Sequence, residues 1–478
     1  MRKLFLKNLL FLQGLNLIIK PLWLLMIDRI AQNTLGQAYG QYNIILTLAL
    51  VFNIVLDIGI QNFNNKQVAG DHSFFKANFK SLIGAKIILS FIYFTLIIGV
   101  GYYRDLDLRL LMLIGFNQIL TSFILYLRSN ISGLQKYTID SLFSVSDKTF
   151  AMIICIAFFY SDMVSIHYFV LAQTIGLSIT LVIIGSLNIR YSNALPKSVS
   201  NSNLITLIRQ SLPYALLFAL MGLYTRADVL MMDFLLPKDV AVFNSGIYAQ
   251  SFRLLDAACM FAMLFSGLLL PMFSRLLAEK KDIKPLTELS VQLLLIIAVV
   301  VSMTAFFFND KIMFTLYRFN DIEELNLSSH VLQNIMLCFI PMCIVYTFGT
   351  LLTAKGDIKA MNLFAFISLV LNIVLNLILI PKYESAGASV SSLTTQTVFA
   401  LLCTIRCFQL FGFKIKPVTF GKFVALIVCL VGLSFFVKGI ESLWLILGIF
   451  LPGALVLVLL LQFFDFRKMF AILMKEEQ

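Results

Sequence analysis

The chain has 478 residues, of which 60% are hydrophobic and only 13% are charged, with a mean hydropathy of +0.91. A water-soluble protein of this length needs far more charge to cover its surface, so composition places the chain in a bilayer and excludes a pair of soluble domains. The net charge of +12 does not point to nucleic acid, because the basic residues are divided among short loops and form no single patch. Spread in this way, they orient a protein in a membrane.

The N-terminal flank, Met1-Arg-Lys-Leu-Phe-Leu-Lys7, is basic and leads into an apolar stretch that runs past Trp23 without a small-residue cleavage site. It reads as a retained first span, not a signal peptide. A helical crossing needs about 20 apolar residues. Segments of this kind lie near 8–29, 38–62, 81–100, 108–128, 142–160, 166–187, 208–236, 240–270, 287–308, 331–353, 359–380, 388–411, 420–437 and 442–463. This predicts an all-α integral membrane protein of about 14 transmembrane helices. Two segments carry internal charge: 142–160 holds Asp147 and Lys148, and 240–270 holds Arg253 and Asp256.

Loop charge fits this spacing. With the N-terminus cytoplasmic, Lys and Arg on cytoplasmic segments outnumber those on outer loops roughly threefold, a bias that one missed span would erase. Both termini are therefore expected in the cytoplasm. Residues 188–206 form the longest polar connection on that side, and the acidic outer segment 309–330 has room for a short surface helix.

Sliding the chain on itself aligns Leu35-Gly-Gln-Ala-Tyr-Gly-Gln-Tyr-Asn43 with Leu236-Pro-Lys-Asp-Val-Ala-Val-Phe-Asn244. A second echo links Arg128-Ser-Asn-Ile-Ser-Gly-Leu-Gln-Lys136 with Gly349-Thr-Leu-Leu-Thr-Ala-Lys-Gly-Asp357. Weak internal similarity in matching positions is typical of transporters built from repeats. The pattern predicts a six-helix lobe over 1–190, a cytoplasmic linker over 191–207 and a second six-helix lobe over 208–412. Two further helices and a cytoplasmic tail follow over 413–478.

Four segments then resemble the multidrug/oligosaccharidyl-lipid/polysaccharide (MOP) exporter superfamily, and within it the polysaccharide-biosynthesis flippases. They are Leu35-Gly-Gln-Ala-Tyr-Gly40 through Leu56-Asp-Ile-Gly-Ile60; Leu223-Tyr-Thr-Arg-Ala-Asp-Val-Leu230 with Phe243-Asn-Ser-Gly-Ile-Tyr-Ala249; Ala354-Lys-Gly-Asp-Ile-Lys-Ala360; and Leu371-Asn-Ile-Val-Leu-Asn376 with Ile380-Pro-Lys-Tyr383 and Gly387-Ala-Ser389. The resemblance implies two lobes in a V-shaped, MATE-like arrangement around a cavity that opens to each side in turn. It also implies residence in the bacterial inner membrane, and it does not identify the cargo.

Charges within spans are costly and usually face a bundle interior or a wet cavity. Gln13, Asn16 and Lys20 form a stripe on the first span, just before Pro21. Asn53 and Asp57 belong to a similar stripe, with Gln61, on the second. Arg226 and Asp233 share a face of the seventh span, with Asp228 on the same helix, while Arg253 and Asp256 sit within the eighth. Lys20, Arg226 and Arg253 are the candidate cavity cations, able to replace the hydration of a pyrophosphate; arginine can bind phosphate oxygens in pairs. Gln13, Asn16, Asn53, Asp57, Asp228, Asp233 and Asp256 are candidate cavity or ion-coupling groups. Bland alternatives stand beside these: Arg253 with Asp256 as a packing ion pair, Lys86 snorkelling to the cytoplasmic end, Asp28 and Arg29 at the interface, and Asn372 with Asn376 as interhelical glue.

No phosphate-binding loop, H-E-x-x-H or Ser-His-Asp grouping occurs. The seven cysteines contain no C-x-x-C, and His72, His167 and His330 offer no zinc-like pairing; Cys403 and Cys407, one turn apart, read as packed free thiols. The expected protein is therefore not an enzyme and has no cofactor and no metal. Its expected partners are membrane lipids and an undecaprenyl-pyrophosphate-linked oligosaccharide from O-antigen, capsule or exopolysaccharide assembly, with the polymerase and glycosyltransferases of that pathway alongside. The rivals are a cation-coupled multidrug exporter of the same superfamily and a non-transporting scaffold of polysaccharide assembly. The drug exporters commonly carry an acid in the first span, where the comparable depth here holds Lys20.

Overall fold

The computed structural model describes residues 14–16, 18–194, 204–414 and 416–463, and every regular element among them is helical. Ten helices among the described residues are long and apolar enough to cross a membrane. Several of these runs exceed a single crossing, Lys238–Ala278 with 41 residues among them. Ile322–Lys355 has 34 residues, and Ile358–Phe411 has 54 but turns sharply at Glu384 (φ 52°, ψ −129°), so the expected spans 359–380 and 388–411 lie on either side of the turn. Large apolar side chains cover the outer faces: Phe91, Val182, Phe436 and Trp444 are each at least two-thirds exposed, which only a lipid solvent makes favourable.

Local chemistry sets the helix ends. In the first span Pro21 lacks a backbone donor, and the helix widens into a π-helical turn, Trp23–Asp28, before resuming as Arg29–Leu35. Asp71 starts the helix His72–Tyr103 by accepting from Ser73 N at 2.9 Å. Asp107 does the same for Leu108–Gly133, through Arg109 N at 2.9 Å and Leu110 N at 3.2 Å. Gly356, at φ 84°, closes Phe339–Lys355. The expected surface helix within 309–330 is Asn309–Leu316.

The chain divides into two compact units, the first made of 1–249 and 358–391 and the second of 250–357 and 392–478. In the first, Trp23 stacks on Phe169 at 5.9 Å and Tyr42 meets the same ring edge-on at 5.6 Å. Close backbone approach matters here: a Cβ on Gly40 would lie 2.2 Å from the Val242 carbonyl oxygen. In the second, Phe308, Leu426, Ile446 and Phe450 form a buried cluster, and Phe308 and Phe450 lie 5.3 Å apart. Cys403 and Cys407 are buried free thiols in this unit.

Candidate transport site

The Leu56-Asp-Ile-Gly-Ile60 segment interrupts the second span. The helix Gln37–Val51 resumes as Asn53–Asp57, stops at Ile58 (φ 44°, ψ 34°) and Gly59 (φ 75°, ψ 7°), and restarts as Ile60–Gly70. Glycine accepts that backbone readily; at β-branched Ile58 it costs about 1–2 kcal/mol, so the surroundings must hold it. A break at this depth also frees carbonyl groups that lipid cannot satisfy.

Lys86 satisfies them. Its Nζ donates to Leu56 O at 3.0 Å, to Asp57 Oδ1 at 3.2 Å and to Ser122 Oγ at 2.6 Å, so three acceptors meet its three N–H bonds. Ser122 Oγ adds a bond to Leu56 O at 3.2 Å, and the Asp57 carboxylate accepts from Gln61 N at 3.3 Å. The snorkelling expected of Lys86 is therefore wrong. Its side chain is 1% exposed, because the end of a half-helix and a carboxylate solvate the ammonium inside the bundle. Asp57 is 31% exposed, and beside it Asn53 Nδ2 donates to Gln118 Oε1 at 2.9 Å.

The first span brings a second group together. Asn16 is buried and donates to Ser144 Oγ at 2.8 Å. Lys20 is half-buried, within electrostatic reach of Arg128, Asp147 and Lys148. Arg128 in turn pairs with Asp140 at 2.7 Å, and the Lys148 ammonium lies 4.8 Å over the Trp23 ring. Arg128 and Lys148 are not among the cavity cations expected from the sequence; the charged opening of 142–160 is the available signal. Arg226 is half-buried on Leu204–Leu235 in the same unit, whereas Arg253 belongs to the other unit, 3.9 Å from Asp256. Gln13 lies outside the described residues.

The acids have defined environments. Asp228 is fully buried and accepts from Tyr248 Oη at 2.6 Å, Asn372 Nδ2 at 2.9 Å and Asn376 Nδ2 at 2.7 Å. The asparagine pair does bridge helices, and what it grips is a carboxylate. Asp233 receives Arg104, at 3.2 Å from Nε and 2.7 Å from Nη2, and the guanidinium also donates to the Asp233 carbonyl and lies 4.2 Å over Phe234. Next to it Lys238 Nζ is 2.9 Å from Asp105. Asp28, expected at the interface, is instead 3% exposed and accepts from Tyr39 Oη at 2.7 Å. The turn at Gly36 (φ 51°, ψ −120°) folds Tyr39 back onto the preceding helix and gives the acid a buried donor.

Ion pairs and a carboxylate buried in long apolar helices, one of them broken at depth, define a multi-pass membrane transporter. The sequence profile described as polysaccharide biosynthesis protein matches residues 5–277, more than half of the chain, and the MatE profile matches residues 213–378. The chain belongs to the polysaccharide biosynthesis protein family and is a transporter of the MOP superfamily. Its fold resembles that of the lipid II flippase MurJ in an inward closed conformation, with a TM-score of 0.69 and 15% identity, covering 98% of this chain and 99% of that one. It also resembles a MOP superfamily transporter from Pyrococcus furiosus, with a TM-score of 0.65 and 12% identity over 85% of this chain and 96% of that one. A multidrug resistance MATE family transporter in an inward-facing conformation gives 0.63 and 10% over 84% and 96%. No curated protein sequence matches the chain.

Proposed function

We propose that the protein is a bacterial inner-membrane flippase that moves an undecaprenyl-pyrophosphate-linked oligosaccharide from the cytoplasmic to the periplasmic leaflet, both of its termini being cytoplasmic. The observation that carries this reading is half-buried Lys20 in the first span, which interacts electrostatically with Arg128, Asp147 and Lys148, with half-buried Arg226 in the same unit. A pyrophosphate drawn out of water loses its hydration, and fixed ammonium and guanidinium groups replace it. In this reading the six-helix lobes 1–190 and 208–412 alternate; of the expected linker 191–207, residues 195–203 lie outside the described residues. As the lobes rock, the sugar passes through the polar interior while the polyprenyl tail stays in lipid. The likeness to a protein described as a lipid II flippase supports the class of cargo.

The work of translocation needs a driving force, and Asp228 supplies a buried carboxylate where a coupling cation can be exchanged. Deletion of the gene, followed by an assay of lipid-linked glycan on each leaflet, tests the proposal. Glycan held on the cytoplasmic leaflet, with export restored by wild type and not by Lys20→Ala with Arg226→Ala, is the expected result.

A second reading, a cation-coupled multidrug exporter, is favoured by one observation: buried Asp28 with its Tyr39 bond puts an acid in the first span after all. Efflux of a cationic dye that depends on Asp28, with glycan export unaffected by deletion, is the outcome that selects it.

A further inference from the structure

A cavity of about 380 Å³ opens at the break in the second span. Asn53, Asp57, Gln61, Gln118, Thr121 and Ser122 supply its polar wall, while Leu50, Ile54 and Leu125 supply an apolar one. Ala219 and Gly222, from Leu204–Leu235, leave the space open by having little or no side chain. From this cavity we infer a carbohydrate subsite: it seats a sugar ring of the cargo glycan, an inference that rests on the flippase reading above.

The hydrogen-bond inventory selects the ligand. Lys86 has no proton to spare, because its three N–H bonds meet Leu56 O, Asp57 Oδ1 and Ser122 Oγ. The ion pair is neutral overall, so the cavity has no cation available to a phosphate, and an anion there would meet the Asp57 carboxylate. A cation would find the Asp57 carboxylate already neutralised by Lys86 at 3.2 Å. What remains is neutral donor and acceptor capacity, since the side-chain amides of Gln61 and Gln118 bring N–H groups as well as oxygens. Asp57 is 31% exposed, and Thr121 Oγ1 already donates to Asn117 O at 2.8 Å, so its lone pairs are what it can offer.

A neutral ligand rich in hydroxyl donors satisfies such a wall, whereas an apolar one leaves it unpaired. A pyranose ring brings those hydroxyls on its rim and C–H faces for Leu50, Ile54 and Leu125. The unwound turn at Ile58 and Gly59 is what aims Asp57 at this space, which accounts for keeping a β-branched residue in a costly conformation.

The test is photocapture in cells that make the cognate glycan. A benzophenone amino acid replaces Gln118, and in a separate variant Thr121, so that a folding defect at one position does not decide the matter. The same probe in place of lipid-facing Phe91, which is 72% exposed, is the control. After irradiation, a periodate-positive glycan on the protein band at 118 or 121, at least tenfold above the control, is the expected result. Ordinary phospholipid or no adduct at both positions, in a chain whose deletion still blocks glycan export, overturns the subsite and leaves the flippase reading standing. Export that is unimpaired by deletion overturns the flippase reading, and the subsite with it.

Discussion

The ammonium of Lys86 and the carboxylate of Asp57 lie 3.2 Å apart where the helix Asn53–Asp57 ends at the break in the second span. The pair solves two problems together, since the lysine also takes the carbonyl of Leu56 that the break leaves open. Removing either charge therefore disturbs the backbone as well as the electrostatics.

Lys86→Met is expected to lower stability by about 3 kcal/mol, at the lower end for breaking a buried pair because Asp57 retains some access to solvent. Lys86→Met combined with Asp57→Asn should recover part of that loss, the buried charge being gone. Thermal unfolding of the purified protein in detergent measures both, and equal melting temperatures for wild type and Lys86→Met would contradict the account.

Asp228 gives a second prediction. Tyr248, Asn372 and Asn376 donate to it as neutral groups, and each bond to a charged acceptor is worth about 1.5–3 kcal/mol. Asn376→Ala should cost about that much in stability. Asp228→Asn should also make glycan export insensitive to an imposed cation gradient, measured in membrane vesicles.

At the Arg104 turn, Arg104→Glu is expected to cut export at least tenfold by setting two acids together, and Arg104→Glu with Asp233→Arg should restore most of it. The neighbouring Asp105 is held below the usual carboxylate range by its hydrogen bond from Lys238 and by that residue's charge. Its folded pKa being lowered, the contact is present above the usual pKa near about 4 and is lost only as pH falls through the lower folded value. Carboxyl NMR of Asp105 in the intact protein should therefore show no protonation between about pH 7 and pH 5, and protonation in that window would contradict the pairing.

Glycine substitutions test the packing. A Cβ at position 40 would meet the carbonyl oxygen of Val242 at 2.2 Å, so Gly40→Ala must push two helix backbones apart and should cost at least about 1–3 kcal/mol. Gly84 has nothing within 4 Å of the same added atom, and Gly84→Ala should leave the melting temperature unchanged or raise it.

Much of the architecture was legible because lipid leaves little choice: about 20 apolar residues in a row form a helix wherever they occur. The Leu35-Gly-Gln-Ala-Tyr-Gly40 and Leu56-Asp-Ile-Gly-Ile60 segments were visible as motifs, and they are the positions where helices approach closely or break. The partners of buried charge were not legible. Lys86 sits near a predicted span end, which in sequence reads as an exit to water; only the fold shows Leu56, Asp57 and Ser122 around it. The partner of Asp28 was hidden for the same reason, because Tyr39 reaches it through a turn that a linear pattern does not reveal. Arg128 and Lys148 come within electrostatic reach of Lys20 through the packing of helices, a relation that no linear pattern reveals.

The central claim, that cations within the first unit carry a pyrophosphate-linked glycan across the bilayer, is tested most directly in reconstituted vesicles. The lipid-linked oligosaccharide is loaded on one leaflet, and its appearance on the other is read with an impermeant glycan-cleaving enzyme. The account predicts transfer by the wild type that falls at least tenfold in Lys20→Ala and in Arg226→Ala, with melting temperatures within a few degrees of wild type. Transfer at wild-type rate by both alanine variants would contradict it.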